Sequence, residues 1–293
     1  MSDARLHVRD IAITRRQMLR LGAAAVGLSA CDRFDFSSWV SRGRYDVDAR
    51  FTASTEELDP PVPPAVPYDD AWSMLIVSDL HCWDGERPAT LDRVEAYLER
   101  EPVDLVVQLG DLADAGWAGE YETGREALAR LGPPFYSAIG NHDLFHDGWV
   151  SFRQTFGPSA YALPVGASRL VFMDLGGGTL GGLQRPWLED QLAIGADHVF
   201  VLSHYPMWDS ISMGFAQLGS EQEVYDILDL MRRHGVRAHV SGHTHRWAST
   251  ECDGVRLYTV GALKESAPDP CGLKVSVEGD AVTYTRVPFD GEG

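Results

Sequence analysis

Basic residues are scarce in this chain: 25 lysines and arginines stand against 43 aspartates and glutamates, a formal net charge of −18 over 293 residues. There is no stripe of positive side chains to grip a phosphate backbone, so long nucleic-acid polymers would be repelled at a distance. Zinc-finger spacing is missing as well. The apolar stretch Leu21 to Ala30 is too short for a bilayer, which takes about 20 residues. Cysteine is sparse, with four in all. If Cys31 is set aside for the reason given below, Cys82, Cys252 and Cys271 remain, an odd number that allows at most one internal disulfide. Cys252 and Cys271 flank strand-like runs and are the better pair, whereas Cys82 reads as a small packing residue. The glycine cluster LGGGTLGGL, Leu175 to Leu183, lacks the Lys-Ser/Thr of a phosphate-binding P-loop and reads as a mobile loop. No internal repeat of fixed period is present.

What is present is ordinary globular composition, 44% hydrophobic and 23% charged, which predicts a sizeable buried core. The first 31 residues differ from the rest in sign, with Arg5, Arg9, Arg15, Arg16 and Arg20 against Asp3 and Asp10. Within them TRRQMLRLGAAAVGLSAC, Thr14 to Cys31, has a paired arginine, a short apolar segment and small residues before a cysteine, the layout of an export signal. It resembles a twin-arginine signal, and Leu28-Ser29-Ala30-Cys31 resembles the lipobox of bacterial lipoproteins. A basic amphipathic helix followed by an incidental cysteine is the alternative. Export by that route implies a periplasmic or other extracytoplasmic place, with a membrane anchor through lipidated Cys31. Residues 32–71 read as a tether, stiffened by five prolines between Pro60 and Pro67. Within it Tyr45, Val47, Ala49, Phe51 and Ala53 alternate with polar residues, which predicts an edge strand if the segment is ordered.

From Trp72 to the C-terminus apolar runs alternate with helical patterns. MLIVSD ends at Asp79, a helix from near Pro88 carries Leu91, Val94, Tyr97 and Leu98, and DLVVQLGD ends at Asp111. A second helical stretch, Tyr121 to Leu131, leads to PFYSAIGN ending at Asn141. HVFVLSH ends at His204, and a helix from Glu221 to His234 presents Val224, Ile227, Leu228 and Met231 on one face before RAHVSGH ends at His243. This alternation predicts an α/β fold in residues 72–293.

Five of these runs therefore close on DLH, GD, GNHD, SH and GHTH, each offering Asp, Asn or His at a strand end. Singly, such an Asp would read as a turn or helix cap, and His204 as a half-buried histidine. In an open α/β sheet, however, ligands bind outside the carboxyl ends of the strands, so five such ends converge. Residues at i and i+2 of an extended chain face the same way, which would let Asp79 with His81, and His243 with His245, each present two donors. His7 belongs to the signal, and His198, His234 and His239 read as structural.

In that order the motifs resemble those of the calcineurin-like metallophosphoesterase superfamily. The resemblance implies two packed mixed sheets flanked by helices, an α/β/β/α sandwich, with a dinuclear metal site at the strand ends. It implies that Asp79, His81, Asp111 and His245 hold one ion, and that Asp111 as a bridge, Asn141, His204 and His243 hold the other. Ions about 3.5–4 Å apart ionise a bridging water near neutral pH and clamp an in-line displacement at phosphorus. The two carboxylates cancel only part of the ions' charge, so a phosphoester is attracted locally. His142 is left over as the group that stabilises the transition state or protonates the leaving alkoxide, with Asp143 orienting its ring; a histidine capping the turn is the plainer reading. The N/O donor set suits Mn, Fe or Zn, and loading in the cytoplasm before export favours Mn or Fe. Loops Leu144–Phe156 and Tyr205–Phe215 carry Phe145, Trp149, Phe152, Met207, Trp208, Met213 and Phe215; some of these pack inward, Phe152 with Phe156 at i,i+4 reading as a helix face, and the others would form an aromatic rim for a small phosphoester such as a lipid or nucleotide. Monoester and diester substrates both fit this pattern. A non-catalytic, metal-stabilised envelope scaffold is the rival reading.

Overall fold

The computed structural model describes residues 45–56, 68, 71–208 and 218–290, so the stretch expected to be an export signal and the proline-rich run lie outside the described residues. One sheet has the order β11-β10-β1-β2-β3, built from β1 (Ala71–Val77), β2 (Leu105–Gln108), β3 (Phe135–Ser137), β10 (Cys271–Glu278) and β11 (Ala281–Pro288). The other runs β4-β5-β6-β7-β9-β8, from β4 (Tyr161–Val165), β5 (Ser168–Phe172), β6 (His198–Leu202), β7 (Ala238–Ser241), β8 (Ala248–Cys252) and β9 (Val255–Thr259). Each sheet contains a parallel run, β1 with β2 and β2 with β3 in the first and β5 through β6 and β7 to β9 in the second, while β10 joins the first sheet antiparallel to β1. The four residues of β2 and the five of β6 are all buried, as expected of strands covered on both faces.

Met74, Ile76, Leu105 and Val107 of one sheet meet Leu163, Leu170, Phe172 and Phe200 of the other in the core between them. The outer face of the first sheet packs against α2 (Thr90–Arg100), α3 (Ala118–Arg130) and α4 (Gly148–Phe156) through Leu91, Val94, Leu98, Tyr121, Leu128 and Phe152. The outer face of the second is covered by α5 (Gln184–Ala193) and α6 (Glu221–Arg233) through Leu188, Leu192, Val224, Ile227 and Met231. This is the α/β/β/α sandwich, and it leaves the carboxyl ends of β1, β2, β3, β6 and β7 to build one centre. Among the described residues no helix is long and apolar enough to cross a membrane.

Three local expectations change, and the open question of the Cys252–Cys271 pair is answered. The alternating stretch around Phe51 is a helix, α1 (Val47–Glu56), instead of a strand. Its buried residues are Val47, Arg50, Phe51 and Ser54, spaced i, i+3, i+4, i+7. Two of the four are polar, and for that reason counting only apolar residues gave a period of two. The Asp46 carboxylate accepts from Ala49 N–H and opens the helix. The glycine-rich stretch is tied down instead of loose: Thr179 Oγ1 and Leu180 N donate to Glu223 Oε1, and Leu183 N donates to Asp48 Oδ1. Cys252 and Cys271 are free thiols, the first exposed and the second buried. Of the expected aromatic rim, Trp149, Phe152 and Met207 are buried in the core, Phe145 is half-buried and Trp208 is 41% exposed; Met213 and Phe215 lie outside the described residues.

Candidate metal centre

Each donor follows its strand by two to four residues, in turns rather than in extended chain. Asp79, His81, Asp111, His243 and His245 all have positive φ, between 49° and 72°. Such left-handed backbone costs a non-glycine residue about 1–3 kcal/mol and gathers at functional sites. The paired donors of DLH and GHTH thus face one centre because alternate residues turn left-handed, and not through the pleat of a strand. Gly140 shows why the motif needs glycine: a Cβ there would lie 2.2 Å from Asp111 Oδ1 and 2.3 Å from Asp111 N. Gly110, at φ +96°, lets the chain reverse just before Asp111, where a Cβ would strike Gly140 N at 2.6 Å.

Two donor groups share Asp111. In one, Asp79 Oδ1 faces His245 Nε2 at 3.3 Å, His81 Nε2 faces His245 Nε2 at 3.4 Å, and Asp111 Oδ2 is 3.8 Å from His81 Nε2. In the other, His204 Nε2 is 3.3 Å from Asp111 Oδ2, 2.9 Å from Asn141 Oδ1 and 3.1 Å from His243 Nδ1. His243 Nδ1 is in turn 3.0 Å from Asn141 Oδ1. Asp79, His81, Asp111, Asn141 and His204 are buried, and His243 and His245 are half-buried. All seven residues expected as metal ligands are therefore brought together.

The donor chemistry fits a pair of cations. His204 Nδ1 meets the Leu109 carbonyl at 2.9 Å, and a carbonyl only accepts, so that nitrogen carries the hydrogen. In the neutral ring the Nε2 lone pair then points among Asn141 Oδ1, His243 Nδ1 and Asp111 Oδ2, where only a cation or an added proton relieves the crowding. His81 is arranged alike, with Nδ1 3.1 Å from Asp114 Oδ1 and Nε2 turned to His245. Asp79 Oδ1 is buried with no hydrogen-bond donor. A carboxylate or carbonyl behind each ring is the arrangement that fixes the tautomer of a metal-binding histidine.

The proton does reside here when cations do not. Burial opposes a charge on His204, but the Asp111 carboxylate outweighs it and lifts the ring to about 9. Burial would raise Asp111 too, yet His204 and His142 hold its carboxyl well below the usual carboxylate range. Below about pH 9 an incoming cation must therefore displace the His204 proton. Loading the protein with Mn²⁺ at pH 7.5 is expected to release at least one proton, from His204, and a second where a bound water ionises. Titration calorimetry in buffers of different ionisation enthalpy measures this, and a heat independent of buffer would contradict it.

His142 and Asp143 sit beside the ligands, in the 3₁₀ turn His142–Asp147. His142 N–H donates to Asp111 Oδ1 at 2.8 Å, and its ring lies 4.5 Å from that of His81. The ring is held through Nδ1 by the Asp114 carbonyl, at 2.6 Å. Asp143 does not hold it, contrary to expectation, because its carboxylate is taken up by Leu112 N, Ala113 N and Gly140 N. Burial and the nearby Asp111 carboxylate push Asp143 up to about 6. Its part is to lock the β2 and β3 turns together. Asp111 also raises His142, against the effect of burial.

Sequence reasoning missed Asp114, whose carboxylate fixes His81 and whose carbonyl fixes His142. A second carboxylate three residues after Asp111, in GDLAD, was the available signal. Tyr205, stacked on His243 at 4.0 Å and 29°, was missed as well; an aromatic directly after His204 was its sign.

A two-sheet sandwich with two Asp/His donor groups sharing one carboxylate at its strand ends defines a metallophosphoesterase fold. The family model for calcineurin-like phosphoesterases matches residues 73–247, and the chain belongs to that family. Among characterised relatives, the glycerophosphodiester phosphodiesterase GpdQ of Enterobacter lignolyticus is 29% identical over 185 residues, covering 58% of this chain and 66% of that protein. The serine/threonine-protein phosphatase CPPED1 of Danio rerio is 26% identical over 228 residues, covering 67% and 72%. The chain thus spans just under two thirds of the length of the first. A crystal structure of a dimetal phosphatase from Danio rerio superposes with a TM-score of 0.61 at 17% identity, over 75% of this chain and 97% of that one.

Proposed function

We propose that this protein hydrolyses small phosphoesters with two divalent ions, Mn or Fe in the native state, and does so in the cell envelope. The observation that carries the reading is Asp111, whose Oδ2 lies within 3.8 Å of a histidine nitrogen from each donor group. When bound, the ions supply an ionised water as nucleophile and neutralise charge on the phosphoryl oxygens.

The chain's own residues do the rest. Asp111 joins the two subsites, and neutral Asn141, His204 and His243 leave positive charge for the anionic substrate. Asp114 fixes the tautomer of His81 with its carboxylate and aims His142 with its carbonyl. His142, with Nδ1 engaged, exchanges a proton through Nε2 and protonates the departing alkoxide. The relatives named above include a phosphodiesterase and a phosphatase, so both ester classes belong in the test. With Mn²⁺ added, bis-p-nitrophenyl phosphate, p-nitrophenyl phosphate and glycerophosphodiesters are assayed side by side. Turnover of at least one, abolished by chelation and restored by Mn²⁺, is expected. No turnover of any at full metal occupancy would favour a metal-stabilised scaffold.

The envelope location rests on Arg15, Arg16 and Cys31, in residues outside those described. Two or three acyl chains on Cys31 would hold the domain stably where one would bind reversibly. Cys31→Ser should abolish lipid labelling and leave catalysis intact, and continued labelling would place the anchor elsewhere.

A further inference from the structure

Helix α1 lies outside the family-matched residues 73–247 and is bolted to the domain by a buried charge. Arg50 donates from Nε and Nη2 to the two oxygens of Asp174, both at 2.8 Å, with the side chains 3% and 0% exposed. Asp174 stands just after β5. It also accepts from Ser159 Oγ at 2.7 Å, and Ser159 N donates to Ser54 Oγ of α1 at 3.1 Å. Phe51 adds an edge-on contact with Trp187 of α5, ring centres 5.6 Å apart.

That anchor leads to the metal centre in two steps. Asp174 Oδ1 accepts from Gly176 N at 3.3 Å and so places Gly176. Gly176 packs directly on the Gly140 carbonyl, so closely that a Cβ would lie 2.8 Å from the oxygen. That carbonyl belongs to the rigid peptide plane whose nitrogen is Asn141's. Asn141 Oδ1 is the atom facing both His204 and His243. Gly140 also packs on Asp111, which both groups share, but Asp79, His81 and His245, the donors peculiar to the first group, receive no such contact among those described.

We propose that α1 is a clamp whose Arg50–Asp174 pair, acting through Gly176, positions Asn141 and so sets metal affinity at the second subsite in preference to the first. Arg50 and Asp174 are positioning residues and touch no ligand. The inference rests on the metal-centre reading above. Removing the guanidinium leaves a buried carboxylate short of two donors, which must shift to find others. Gly176 moves with it, and supports of this kind are worth about 10- to 100-fold in metal affinity.

The test is Mn²⁺ titration of the full chain, read as free Mn²⁺ by electron paramagnetic resonance, with Asn141→Ala as the reference for second-site loss. Wild type is expected to take up two ions. Arg50→Met should weaken the second affinity about 10-fold or more, well beyond any change at the first, and Arg50→Lys, which restores the charge, should recover part of it. If Arg50→Met does not fold, Gly176→Ala decides, since it leaves the Arg50–Asp174 pair intact and presses on Gly140; the same selective loss is expected. Unchanged second-site affinity, or equal weakening at both sites, overturns the clamp. Wild type that binds no Mn²⁺ overturns the metal centre itself, and the clamp with it.

Discussion

Asp111→Asn is expected to lose the second metal ion and to cut phosphoester turnover by roughly 10²- to 10⁴-fold. The substitution keeps the side chain's shape and an oxygen able to accept the His142 N–H now bound at 2.8 Å, so the turn is preserved. What it removes is the one negative charge shared by both donor groups. Taking one partner from a buried charge pair costs about 3–5 kcal/mol, and each 1.36 kcal/mol is about a decade in rate. Steady-state kinetics at saturating Mn²⁺ together with elemental analysis measures both losses. Two bound ions with turnover near wild type would show that Asp111 is not the bridge.

His142→Gln is expected to separate metal binding from catalysis. Glutamine can still donate to the Asp114 carbonyl that now holds Nδ1 at 2.6 Å, but it has no proton to give a leaving group. Both ions should stay, and kcat should fall about 10²-fold or more, the usual scale of acid assistance. The loss should depend on the leaving group, large for an alkyl ester and small for p-nitrophenolate, which departs without protonation. Equal loss for both would remove the acid role, and metal loss would make His142 a ligand.

The strands and the residues of the candidate centre were legible because they share one pattern. Each motif stands directly after an apolar run, and five runs closing on Asp, Asn or His have no packing explanation. Helix α1 was not legible because its buried face holds Arg50 and Ser54, whose partners Asp174 and Ser159 lie more than a hundred residues away. The left-handed backbone at Asp79 and His245 was equally hidden, since nothing local marks a non-glycine residue for positive φ. Asp143 was misassigned for a related reason. Its place next to His142 in GNHD suggested a ring partner, whereas the fold brings Leu112 and Ala113 backbone amides to it from another strand's turn.

The most direct test of the central claim is anomalous diffraction from crystals of the Mn²⁺-loaded protein. The account predicts two manganese peaks about 3.5–4 Å apart, one among Asp79, His81 and His245 and the other among Asn141, His204 and His243, with Asp111 between them. A single peak, or two peaks that Asp111 does not join, would contradict it.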